Sequence, residues 1–169
     1  MPDFYIKNNA MKKVNIAILA LLALGCSFAH AQSGKGSQNM SLEEAKKAIA
    51  ASNAIYFESF AKNDPSIFVN RYAKDACILA PNAPAMCGRE AAAQFFKTAY
   101  EAFGLKNGKF ITTAVYGDGK EYVTEEGLWQ SFDAQGKLFD DGKFLVLWKK
   151  TEDGWKMFRD SFSSNRVQP

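Results

Sequence analysis

The chain is short of histidine and cysteine, and of any strong excess of charge. It has one His and three Cys in 169 residues, and 21 basic side chains stand against 18 acidic ones for a formal net charge of +3. Each shortage excludes something. A single imidazole, His30, cannot build a His-rich metal centre, and any triad would hang on that one ring. A small net charge with no clustered basic stripe excludes nucleic acid as the expected partner. No glycine-rich phosphate loop is present, because Gly117-Asp118-Gly119 reads as a turn between strands and not as a strand-to-helix junction. What the chain does have is apolar bulk: 47% hydrophobic residues, with 14 Phe among them. That is enough for one core in one domain of ordinary size.

The first thirty residues are not read as part of the fold. Lys12 and Lys13 precede an apolar run, Val14 to Leu24, broken only by Asn15, and Ala29-His30-Ala31 is a small-x-small exit. Charge, apolar run and small-residue exit in that order are the pattern of a secretory signal peptide, and the run is too short to span a bilayer. Residues 1–31 are therefore expected to be a signal peptide, with Met11 the true start and the cut after Ala31. In the competing reading, Leu24-Gly25-Cys26 is part of a lipoprotein box and Cys26 carries a lipid anchor. Both readings place the protein outside the cytoplasm, in the periplasm or extracellular space. Removing residues 1–31 takes away His30 and leaves 18 basic and 17 acidic side chains.

Residues 32–40 read as a flexible linker and 41–167 as one domain. Ser41-Leu42-Glu43-Glu44 is a capping box that predicts a helix to about Ala61, ended by Lys62-Asn63-Asp64. Asp64-Pro65 opens a second, short helix. Ala76–Leu79 and Met86–Cys87 read as short strands around the Pro81–Pro84 turn. Arg89–Phe103 is a third helix, stopped by Gly104. Four runs then follow, separated by turn residues: Lys109–Tyr116, Glu121–Phe132, Leu138–Thr151 and Trp155 to about Ser164. They predict an antiparallel meander, with the third run in mid-sheet. The fold class is α+β.

The order Arg71-Tyr72-Ala73-Lys74-Asp75-Ala76, Ile78-Leu79-Ala80-Pro81 and Cys87-Gly88-Arg89-Glu90-Ala91 carries a resemblance. So do Gly142–Lys150 and Gly154-Trp155-Lys156-Met157-Phe158-Arg159-Asp160. Together these resemble the SnoaL-like branch of the nuclear-transport-factor-2-like (cystatin-like) superfamily, and within it the small secreted proteins of domain of unknown function 4440. The resemblance spans Ser41 to Asn165. It implies a cone-shaped, strongly bent antiparallel sheet wrapped around the N-terminal helices, a pocket at the wide end and a homodimer through the outer sheet face. It implies no single reaction, since the superfamily holds isomerases, cyclases, dehydratases, epoxide hydrolases and many members with no known activity.

Asp160, in the last strand, is the candidate acid/base, because a carboxyl group among aromatics is pushed toward neutral pH. Phe158 and Phe162 are expected on its face, and Tyr56 is the candidate donor. The alternative is a structural ion pair of Asp160 with Arg159, Arg89 or Arg71. Glu125 and Glu126 point to opposite faces, so one of them can face inward. Tyr72, Phe95, Trp129, Phe144 and Trp148 are candidate pocket residues, with ordinary core packing as the alternative. Cys77 and Cys87 lie ten apart across a turn, within reach of a disulfide; two buried thiols is the other reading. No metal or cofactor is called for. The expected function is an exported module that binds a small apolar or amphipathic molecule without spanning a membrane. The alternatives are a cofactor-free isomerase, cyclase or dehydratase, and a non-catalytic structural dimer.

Overall fold

The computed structural model describes residues 33–166, with side chains from Ser41 onward; the signal-peptide reading, Met11 and Cys26 lie outside the described residues. The chain divides into units 1–37 and 38–169, and apart from the start of the first helix the description below concerns the second.

The first helix, α1, runs Ser33–Lys62. It begins eight residues before the expected cap, so Ser41 lies inside a helix and most of the stretch read as a linker is helical. Ser33–Met40 contains no proline to stop it, and the Ser-x-x-Glu pattern is compatible with a helix interior. The end falls as expected. Asn63 takes φ +52, the left-handed conformation that Asn tolerates, and the Asp64 amide donates to Ser59 O at 2.8 Å. Asp64 then caps α2 (Pro65–Val69), its Oδ1 accepting from the Ser66 amide at 2.9 Å. Ala45, Ile49, Tyr56 and Phe60 form the buried stripe of α1.

The chain continues through β1 (Tyr72–Leu79), β2 (Met86–Cys87), α3 (Arg89–Glu101), β3 (Asn107–Gly117), β4 (Tyr122–Phe132), β5 (Leu138–Thr151) and β6 (Gly154–Ser164). Gly104, at φ +69, ends α3 by turning the chain so that the Leu105 amide reaches Ala99 O at 3.0 Å. The six strands make one open sheet in the order β2-β1-β6-β5-β4-β3. β3 to β6 are the expected meander, and β5 is an interior strand. The sheet is mixed and not wholly antiparallel, because β1 lies parallel to β6. The α3 segment and the meander intervene between those two strands, which gives the chain room to return in the same direction. β1 also starts at Tyr72, four residues before its expected start at Ala76.

β1 and β2 pair with Cys77 opposite Cys87, and a disulfide joins them. The inner face of the meander is buried through Val123, Trp129, Phe144, Val146 and Trp148. The outer face shows Ile111 (43% exposed), Leu128 (43%) and Leu145 (51%).

Candidate functional site

One irregularity decides what faces the interior. Along β5 and β6, Trp148 pairs with Met157 but Leu147 pairs with Arg159, so Phe158 is an extra residue on β6. Trp155 and Met157 point inward. Strict alternation would bring Arg159 in next and turn Asp160 out. The bulge shifts the phase by one residue, and Asp160 enters the interior opposite buried Val146. Phe158 is displaced from the face expected for it. It lies instead beside the Tyr122 ring, with the Arg159 guanidinium 3.7 Å from its ring centre. Phe162 does share the Asp160 face.

Asp160 is 6% exposed, and its Oδ2 accepts a 2.6 Å hydrogen bond from the Tyr72 hydroxyl. Burial pushes this carboxyl up to about 6; the Tyr72 hydrogen bond and the charge of Arg71 oppose the shift, and Glu125 adds to it. The two tyrosines near it are held far above their ordinary range, first by burial and then by the negative charge of Asp160, so both remain proton donors. The structure therefore gives Tyr72, expected only as a pocket wall, the direct contact with Asp160.

A second buried carboxylate lies two strands away. Glu125, not Glu126, faces inward and is 1% exposed. Its Oε1 accepts from Asn53 Nδ2 at 2.7 Å and Thr112 Oγ1 at 2.6 Å, and its Oε2 accepts from Trp148 Nε1 at 3.0 Å. Burial raises its pKa, against those three donors and Arg71. Arg71 is buried as well. Its Nε donates to Ser52 Oγ at 2.8 Å and its Nη2 to Asn53 Oδ1 at 3.3 Å, while the guanidinium lies over the Tyr56 ring, 4.6 Å from the centroid. Asn53 thus links the cation to Glu125. Among the described residues Asp160 makes no ion pair, so the pairing with Arg71, Arg89 or Arg159 is not formed. Arg89 bonds Asn70, and Arg159 bonds the backbone of Asp75 and Phe158.

Between α1, α3 and the inner sheet face lies a cavity of about 390 Å³. Its walls include Tyr56, Phe95, Phe110, Trp129, Phe144 and Phe162, with Asp160 among them; Asn82, Asp140, Ser164 and Arg166 add polar groups. Of the candidate pocket residues, Phe95, Trp129 and Phe144 line the cavity, and Tyr56, the candidate donor, lines it too. Trp148 is not one: it is fully buried and its indole is spent on Glu125. Tyr72 stands behind Asp160 and not on the wall. Asn53, Thr112 and Ser52 were not singled out by the sequence, since nothing in their spacing marks them as partners of a buried ion. No three His, Cys, Asp or Glu side chains come together as a metal site among the described residues. No helix among them is long and apolar enough to cross a membrane.

No family model and no curated protein matches the chain. Solved structures do. A domain of unknown function with a cystatin-like fold from Nostoc punctiforme superposes with a TM-score of 0.63 at 14% identity, over 72% of this chain and 78% of that one. An NTF-2 like protein of unknown function from Shewanella oneidensis gives 0.60 at 18%, over 70% and 98%. A ketosteroid isomerase-like protein from Erwinia carotovora atroseptica gives 0.58 at 18%, over 70% and 95%. The chain has the cystatin-like, NTF2-like fold.

Proposed function

We propose that the protein is an exported SnoaL-like binding protein that takes up a small apolar or amphipathic molecule in the cavity described above. One observation carries this reading: a 390 Å³ space with largely aromatic walls keeps a carboxyl group on its surface. Apolar walls with a few placed polar groups are what a small-molecule site requires. A cone filled by its own aromatics would leave no such space. Native mass spectrometry of the protein, purified without detergent, tests the reading. A released small molecule, or saturable uptake of an apolar probe that Phe144→Trp reduces, is expected. Failure of both removes it.

A second reading is cofactor-free proton transfer. It is favoured by Asp160, whose carboxyl near 6 can take a proton at neutral pH, and by a fold shared with a ketosteroid isomerase-like protein. Asp160-dependent exchange of α-protons on a bound ketone in deuterated water would support it, and its absence would leave binding alone. For assembly, Ile111 and Leu128 lie opposite each other on β3 and β4, with Leu145 exposed beside them on β5. We propose that this patch pairs two copies. Leu128→Lys with Leu145→Lys should turn a sedimenting dimer into a monomer.

A further inference from the structure

The binding reading leaves the chemical class of the ligand open, and the charge balance around Asp160 narrows it. Among the described residues four groups bear on this carboxyl. Tyr72 on β1 donates to Oδ2, Tyr56 on α1 lies close by, and Glu125 on β4 repels it. Arg71, just before β1, is the cation whose charge acts on it. Arg71 does not pair with it, however; its contacts go to Ser52, to Asn53 and through Asn53 to Glu125, and Tyr56 rather than Arg71 reaches the cavity wall. Among the described residues Asp140 and Arg166 are the other charged side chains on the cavity wall, and they oppose each other in sign. Asp160 therefore keeps Oδ1 without a hydrogen bond among the described residues, on a cavity surface, with no cation of its own.

The walls around it are aromatic. Tyr56 meets Phe110 edge-to-face at 4.8 Å, Phe110 meets Phe144 at 5.2 Å, and Phe162 meets both Trp129 at 5.9 Å and Phe95 at 6.1 Å. Ring faces attract a cation within about 6 Å of the centroid, and an adjacent carboxylate adds a charge-assisted hydrogen bond. An anion entering this space would meet the charge of Asp160, and Arg166, offset by Asp140, is the cationic side chain on the wall among the described residues.

We propose that the cavity selects a small organic cation, a protonated amine on an apolar body, with the ammonium on Asp160 and the body against the ring walls. The inference rests on the cavity being a binding site, and it adds the sign of the ligand's charge. A matched set of probes tests it: 4-phenylbutylamine, 4-phenylbutan-1-ol and 4-phenylbutyrate, titrated by calorimetry against the full chain at pH 7.5. The amine should bind about ten-fold more tightly than the alcohol, and the carboxylate more weakly than either. The preference for the amine should vanish in Asp160→Asn, whose near-isosteric side chain keeps the fold, and should shrink as pH falls through about 6 and Asp160 takes up a proton. If the alcohol binds as well as the amine, the cation preference is overturned while the cavity remains a binding site. If none of the three binds, both the preference and the binding reading fall.

Discussion

Glu125 and Asp160 occupy the same inner sheet face, on strands β4 and β6 with β5 between them, and both are buried. Their surroundings differ. Glu125 has a donor for every position that matters: Asn53, Thr112 and Trp148, with Arg71 joined to it through Asn53. Asp160 has Tyr72 and an open cavity. A buried carboxylate surrounded by donors on packed elements is held in one position and contributes to the definition of the core. A buried ion with one donor and a free oxygen can respond, by taking up a proton or by meeting a ligand. The two carboxylates divide structural and chemical roles between them, and substitutions at each should separate those roles.

The largest effect is expected at Glu125. Glu125→Leu deprives three donors of their acceptor and leaves Arg71 buried without its linked anion. Breaking a buried charge network in this way costs about 4 kcal/mol, read as a lower urea midpoint. Glu125→Gln keeps the shape and part of the hydrogen bonding and should cost less. If Glu125→Leu unfolds at the same midpoint as the parent chain, the network is not an anchor and the comparison fails.

Asp160 should behave in the opposite sense. Its folded pKa of about 6 lies above the value of 3.8 for an unperturbed Asp. Between those values the folded chain binds a proton that the unfolded chain has lost. Stability on account of Asp160 is therefore fullest at low pH and declines as pH rises through this window. Asp160→Asn has no such penalty. It should be more stable than the parent chain above pH 7 by up to about 3 kcal/mol, because a tenfold difference in proton affinity is worth about 1.4 kcal/mol. Near pH 4 the two should be indistinguishable. Chemical denaturation at pH 4, 6 and 8 measures this. A constant difference across the three values would show that Asp160 does not titrate in the window.

Most of the frame is legible in the sequence because short-range chemistry writes it. Asp64-Pro65 caps a helix, Asn63 and Gly104 end helices, and Cys77 and Cys87 sit opposite each other in a hairpin. Two features are not legible. The parallel pairing of β1 with β6 joins residues more than eighty apart, and no local pattern records it. The bulge at Phe158 leaves no mark in Met157-Phe158-Arg159-Asp160, where apolar and polar residues offer either phase. Asp160 stands out as a candidate because it lies within the last strand between Phe158 and Phe162, yet its inward direction depends on that unmarked residue. Glu125 and Glu126 pose the same problem in smaller form: alternation puts one inside, and only the packing of Asn53 and Trp148 chooses which. Arg71 runs against expectation, since an arginine is rarely buried unless it is paired, and its partners Ser52 and Asn53 lie on α1, far from it in sequence.

The smallest expected effect is also the finest test of how the two carboxylates differ. Tyr72→Phe removes the one donor Asp160 has among the described residues and leaves the Glu125 network untouched. The hydrogen bond favours the ionised carboxyl, so its loss should move the Asp160 midpoint further up from its value near 6, by about one pH unit. Carbon-detected NMR of the side-chain carboxyl follows this. Stability should fall by only about 1 kcal/mol, because the ring still packs against Phe68. Glu125, with its three donors intact, should show no change in the same spectra. An upward shift at both carboxylates would mean that Tyr72 acts through the general burial of the core, and the distinction between a closed anion and an open one would be lost. A shift confined to Asp160 would fix Tyr72 as the group that sets its proton affinity.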